Sequence, residues 1–223
     1  MTDKNPANAC IERNKKTMDA LLNMSWDGQF LLFLQDHVRN DFLTPIMKLI
    51  THLGDKGIFW ILIAILLCCF KKTRPLGLMA GVALVMSVLI NNAIIKNLVA
   101  RPRPYLPETV GGQGLKLLIE EQHDWSFPSG HSGASFAAAV VFLVKGPKKL
   151  GIPSIIMAFL IAFSRLYVGV HYPTDVIAGI ITGTCCAIIS FMIWSIVEKK
   201  APVKIASLLG IPEKKENNEE LKA

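Results

Sequence analysis

The chain has 223 residues, 52% of them apolar, and a net charge of +7 with a mean hydropathy of +0.41. That apolar excess sets it apart from soluble domains of this size and makes a membrane protein the first class to test. The five cysteines are Cys10 and the adjacent pairs Cys68/Cys69 and Cys185/Cys186, and neighbours inside apolar helices are poor candidates for a disulfide framework.

Residues 1–26 are polar and mixed in charge. They lack an apolar centre followed by a small-residue cleavage site, so no cleavable signal peptide is expected and the first span serves as the insertion signal. Over residues 27–56 apolar positions such as Phe30, Leu31, Leu34, Ile46 and Ile50 recur at helical spacing, interrupted by Asp36, Arg39, Asp41 and Lys48. This pattern predicts helices lying in the membrane interface.

Five apolar blocks follow: Gly57 to Phe70, Leu76 to Ile95, Ser132 to Val144, Leu150 to Val170, and Val176 to Val197. The second, fourth and fifth are long enough to cross a bilayer unaided, since about 20 residues cover the hydrocarbon thickness. The two shorter blocks need snorkelling lysines or a polar pocket at one end. The expected architecture is an all-α membrane bundle of five spans over 57–197, with a cytoplasmic tail at 198–223.

Short basic loops mark one side: Lys71 to Arg74, Lys145 to Lys149, and Lys199 with Lys200. The positive-inside tendency makes that side cytoplasmic. Three segments then share the outer side: Lys96-Asn-Leu-Val-Ala-Arg-Pro-Arg-Pro104, Ser126-Phe-Pro-Ser-Gly-His131, and Ser164-Arg-Leu-Tyr-Val-Gly-Val-His-Tyr-Pro-Thr-Asp175.

Phosphoryl transfer needs positive charge around the nonbridging oxygens more than it needs covalent help. Arg103 and Arg165 offer bidentate grips and Lys96 a point charge. The turn at Ser129 and Gly130 opens a helix whose N-terminus is an anion site. Pro173 starts the last helix, so Asp175 falls in its first turn and can reach back to His171, fixing the tautomer of an oriented nucleophile. His131 is then the general acid. Arg101 reads as a surface or head-group contact, Asn91 and Asn92 as interhelical hydrogen-bonding residues, and His37, His52 and His123 as surface or interfacial histidines.

Lys96 with six residues to Arg103-Pro104, then Pro128-Ser-Gly-His131, then Ser164-Arg165 with five residues to His171 and three more to Asp175 resemble the type 2 phosphatidic acid phosphatase (PAP2) family, whose site is shared with the vanadium-dependent haloperoxidases. The resemblance covers roughly residues 40–197 and departs in lacking the first helix of six-span members. It implies catalysis by His171, His131 and Asp175, and phosphate binding by Lys96, Arg103, Ser129, Gly130 and Arg165. It further implies a phosphohistidine intermediate, no metal and no cofactor.

The expected partners are a lipid phosphate or diphosphate and the bilayer, with no nucleic acid. Undecaprenyl diphosphate is the favoured substrate, with phosphatidylglycerophosphate or phosphatidate as the alternative. A non-catalytic lipid-phosphate binder would need neither His171 nor Asp175 in those positions, and halide oxidation gives no reason to embed the site in a membrane.

Overall fold

Apolar segments without water around them must satisfy their backbone groups internally, and helices do so within one segment. The computed structural model describes residues 26–211, which contain helices and no strand. In chain order the helices are α1 (Trp26–His37), α2 (Leu43–Leu53), α3 (Ile58–Cys68), α4 (Arg74–Val99), α5 (Gly130–Lys145), α6 (Lys148–Tyr167), α7 (Pro173–Lys200) and α8 (Val203–Leu209). Cys10 and the ends of the chain lie outside the described residues.

Helices α4, α6 and α7 are long and apolar enough to span a membrane, the same three for which the sequence blocks suffice alone. The other two expected spans take different forms, so the count of five is not reached as drawn. Helix α3 meets α2 at a 46° bend, and only the pair together has the length and hydropathy of one span. The bend passes through left-handed backbone at Lys56 (φ 52°) and Gly57 (φ 69°). A Cβ on the neighbouring Gly54 would stand 2.6 Å from the His131 ring, so a glycine is what lets the bend press against α5.

Helix α5 has 16 residues, and ten of them are buried. Its Gly, Ala and Ser positions let α4, α6 and α7 approach closely, as small residues do between membrane helices. The closest approach is to α7, where Cβ atoms on Gly179 and Gly183 would meet the carbonyls of Ser129 at 2.5 Å and Gly133 at 2.3 Å. On the other side Trp60 of α3, fully buried, donates its indole N–H to Ser135 Oγ at 2.9 Å.

Two details of the bundle prepare the site. A π-helical stretch at Val88–Ile95 interrupts α4 just before Lys96, the kind of register change that re-aims side chains. At one end of the bundle Lys72, Lys145 and Glu198 surround a single depression, while Arg74 donates to the Leu208 carbonyl at 2.6 Å. The basic loops therefore share one end, and the three polar segments share the other.

Candidate active site

Six of the eight sequence-predicted site residues line one cavity of about 560 Å³: Lys96, Arg103, Gly130, His131, Arg165 and His171. The C-terminal turn of α4 presents Lys96, the last turn of α6 presents Arg165, and the first turn of α5 presents Gly130 and His131. Relative exposures of 5%, 4% and 1% for Lys96, Arg103 and Arg165 put three cations out of bulk water within one wall. Such a cluster is costly unless an anion joins it.

The two arginines are held differently. Arg103 donates from Nε to the Asp124 carbonyl and from Nη1 to the Val170 carbonyl, both at 2.9 Å. Arg165 donates to Thr51 Oγ1 at 2.7 Å, and its buried Nε has no hydrogen-bond partner among the described residues. Lys96 and Arg103 Nη2 both bond the carboxylate of Asp124. Burial would raise that carboxyl, but the two cations outweigh it and hold it down at about 2.

His171 is 1% exposed, and Arg103 Nη1 lies 3.3 Å from its Nε2. Arginine can only donate, so Nε2 is the acceptor and the proton sits on Nδ1. Nδ1 is 3.5 Å from Asp175 Oδ2. Burial first, and then the charges of Arg103 and Arg165, push the imidazole well below the ordinary histidine pKa, so it is neutral with a free lone pair facing the cations.

Asp175 stands behind His171 rather than on the cavity wall. Its Oδ2 accepts from Ser126 Oγ at 2.5 Å and from the Tyr172 N–H at 2.9 Å, and its Oδ1 accepts from Arg101 at 2.6 Å. Arg101 corrects the surface reading: it also bonds Asp27 at 2.9 Å and lies 3.8 Å over the Tyr172 ring. Its charge is used inside the protein to fix Asp175.

Ser129 is likewise off the wall. Its fully buried hydroxyl accepts from the Ser132 N–H at 3.4 Å and from the Ser132 hydroxyl at 3.0 Å, which makes it the N-cap of α5. Gly130 faces the cavity, and a Cβ there would sit 2.8 Å from Asn92 Oδ1. Asn92 itself lines the cavity, while Asn91 bonds Ser87 one turn back in its own helix.

A second histidine and carboxylate pair was not legible in the sequence. His131 Nε2 lies 3.0 Å from Asp55 Oδ1, and Asp55 Oδ2 lies 2.9 Å from His52 Nδ1. His131 Nδ1 has no protein partner among the described residues, and His52, read as interfacial, is part of the cavity rim. Among the described residues no three metal-ligating side chains come together.

An oxyanion cradle of three cations, a neutral histidine with its lone pair on the cradle, and a second histidine backed by a carboxylate define a membrane phosphohydrolase. A profile of the PAP2 superfamily matches residues 76–199, and the chain belongs to that superfamily. It is 34% identical over 164 residues to a Sulfolobus acidocaldarius protein named undecaprenyl-diphosphatase, covering 73% of this chain and 74% of the relative. Two crystal structures share the fold. Aquifex aeolicus LpxE matches with a TM-score of 0.62 and 26% identity over 76% of this chain and 97% of its own. A phosphatidylglycerolphosphate phosphatase from Bacillus subtilis matches with a TM-score of 0.56 and 25% identity over 90% of both chains. The chain is a hydrolase of phosphoric esters.

Proposed function

We propose that the chain removes the terminal phosphate of undecaprenyl diphosphate at the outer face of the cell membrane, leaving undecaprenyl phosphate. The observation that carries a lipid substrate is the join between two spaces. The polar cavity opens into a groove of about 750 Å³ between α3 and α4 whose walls are almost wholly apolar, and Lys56, Gly57, Val88 and Ala134 line both. A phosphate in the cradle would have its apolar tail laid along that groove. The diphosphate preference is supported by the name of the Sulfolobus relative. A phosphatidylglycerophosphate substrate is the second reading, favoured by the Bacillus structure.

In the mechanism, Lys96, Arg103 and Arg165 hold the nonbridging oxygens, with the Gly130 end of α5 facing them. The lone pair of His171 Nε2 attacks the terminal phosphorus as the bond to the bridging oxygen breaks. His131, which takes up a proton on Nδ1 with the incoming substrate while its Nε2–H stays on Asp55, gives that proton to the oxygen, and the lipid monophosphate leaves. Water then attacks the phosphohistidine, passes a proton back to His131 and releases orthophosphate. Asp175 holds the Nδ1 proton of His171 throughout, and Asp55 holds His131 by Nε2. No metal has a part in these steps.

The outer placement is supported by the basic loops gathered at the end of the bundle away from the cavity, which mark the cytoplasmic side. Assaying the purified protein side by side with undecaprenyl diphosphate, phosphatidylglycerophosphate and phosphatidate tests the substrate. The highest kcat/KM is expected on the diphosphate, and a preference for either glycerolipid would replace the first reading with the second. Single cysteines at Gln113 and Gly146, with the native cysteines replaced, test sidedness. An impermeant thiol reagent on intact cells should label position 113 and spare 146.

A further inference from the structure

Three cations face one another in the cavity, and among the described residues the carboxylate hydrogen-bonded to two of them is that of Asp124. One oxygen of the Asp124 carboxylate is on Lys96 Nζ and the other on Arg103 Nη2. We propose that Asp124 is an internal counter-anion: it fills the phosphate cradle between turnovers, yields to the substrate phosphate, and returns to displace the orthophosphate product. The proposal rests on the phosphatase reading above.

Asp124 is the partner able to move. Its side chain is 54% exposed, whereas those of Lys96 and Arg103 are 7% and 4% exposed. A carboxylate already half in water regains solvent readily, while the cations cannot leave. Arg103 also does not depend on the carboxylate for its aim. Its Nε bonds the backbone carbonyl of the same Asp124 and its Nη1 bonds Val170, so two anchors persist when the side chain swings out.

The carboxylate is also an incomplete substitute for phosphate. It engages two of the three cations, while Arg165 bonds Thr51 and its Nε has no hydrogen-bond partner among the described residues. Asp55 also lines the cavity, but it bonds His131 and His52 and not the cradle cations, so the cradle stays attractive to a phosphate dianion that reaches all three. With its carboxyl held at about 2, Asp124 is ionised whenever the enzyme works, so it competes with phosphate at every turnover.

The test compares the purified full chain with its isosteric variant Asp124→Asn, reading inhibition by orthophosphate and by vanadate together with KM and kcat on a lipid phosphate. Both anions should inhibit the variant about tenfold more tightly, equivalent to about 1.4 kcal/mol. KM should fall with them, and kcat should not rise, because product leaves more slowly. Asp124→Glu, which keeps the charge, should stay near the wild type, and Asp124→Ser should repeat the Asn result if the Asn variant does not fold. Unchanged or weaker anion inhibition in the neutral variants overturns the proposal and leaves Asp124 as a residue that merely aims its cations. If instead wild-type protein and Arg103→Ala are equally insensitive to vanadate, the phosphatase reading itself fails.

Discussion

Two histidine and carboxylate pairs meet at the cavity, and they are built in opposite ways. His171 and Asp175 are almost fully enclosed, and the Asp175 oxygens accept from Ser126, Tyr172 and Arg101. The side chains of His131 and Asp55 are 14% and 47% exposed, and the further partner of Asp55 is the exposed His52. A group that must form a bond to phosphorus along one line gains from a locked frame, since a small misplacement is costly. A group that only gives and takes protons tolerates water and needs it for recovery. The contrast matches the proposed roles, a nucleophile in the locked pair and a proton carrier in the open one.

The sharpest way to break this comparison is His171→Ala, which should lower kcat on the order of 10⁴-fold or more and abolish any phosphoenzyme trapped by acid quench. Appreciable turnover in that variant would remove the nucleophile assignment. His131→Ala should cost about 10²- to 10⁴-fold, and less with an activated aryl phosphate whose leaving group needs no proton. An equal loss on both kinds of substrate would contradict its role as acid.

Asp175→Asn and Asp55→Asn test the two carboxylates directly. The enclosed Asp175 should cost about 10- to 100-fold in kcat, as lost partners of reacting histidines do. The open Asp55 should cost less, with its effect largest on poor leaving groups. Should Asp55 prove the more costly of the two, exposure is the wrong guide to their roles.

The acid limb of kcat/KM gives a smaller effect. A lowered His171 pKa keeps the nucleophile unprotonated below the usual histidine range, so activity should persist as pH falls through about 6.5. A limb at or above that value would show the imidazole charging normally. The smallest expected effect is that of chelation, with EDTA leaving the rate unchanged. Loss that magnesium restores would require a metal in the mechanism.

Much of this site was legible because its chemistry is written in spacing. Lys96, Arg103, His131, Arg165 and His171 come from three segments far apart in sequence, and the membrane sorts those segments to one end of the bundle. The three self-sufficient spans were equally plain from length and hydropathy. What escaped were Asp55, Asp124 and Arg101. A half-exposed loop carboxylate looks like any solvated charge, and its partner is fixed only when the bend at Gly54 meets α5 or when the loop before Ser126 folds over α4. Arg101 sits two residues from Arg103, and the sequence does not say which of the two turns toward Asp27 and Asp175.

The shortness of α5 has a consequence for the work of catching a substrate. Its 16 residues measure about 24 Å, against a hydrocarbon layer of about 30 Å. A helix of that length standing across the bilayer with Lys145 at one surface would end about 6 Å short of the other, with the cradle beside its N-terminus. In that placement the phosphate site would be lowered toward the lipid instead of the lipid being lifted toward water. Each methylene drawn out of the bilayer would cost about 0.8 kcal/mol, and a recessed site removes that extraction work. Capture would then be a lateral move within the leaflet, from the neighbouring lipids into the gap between α3 and α4.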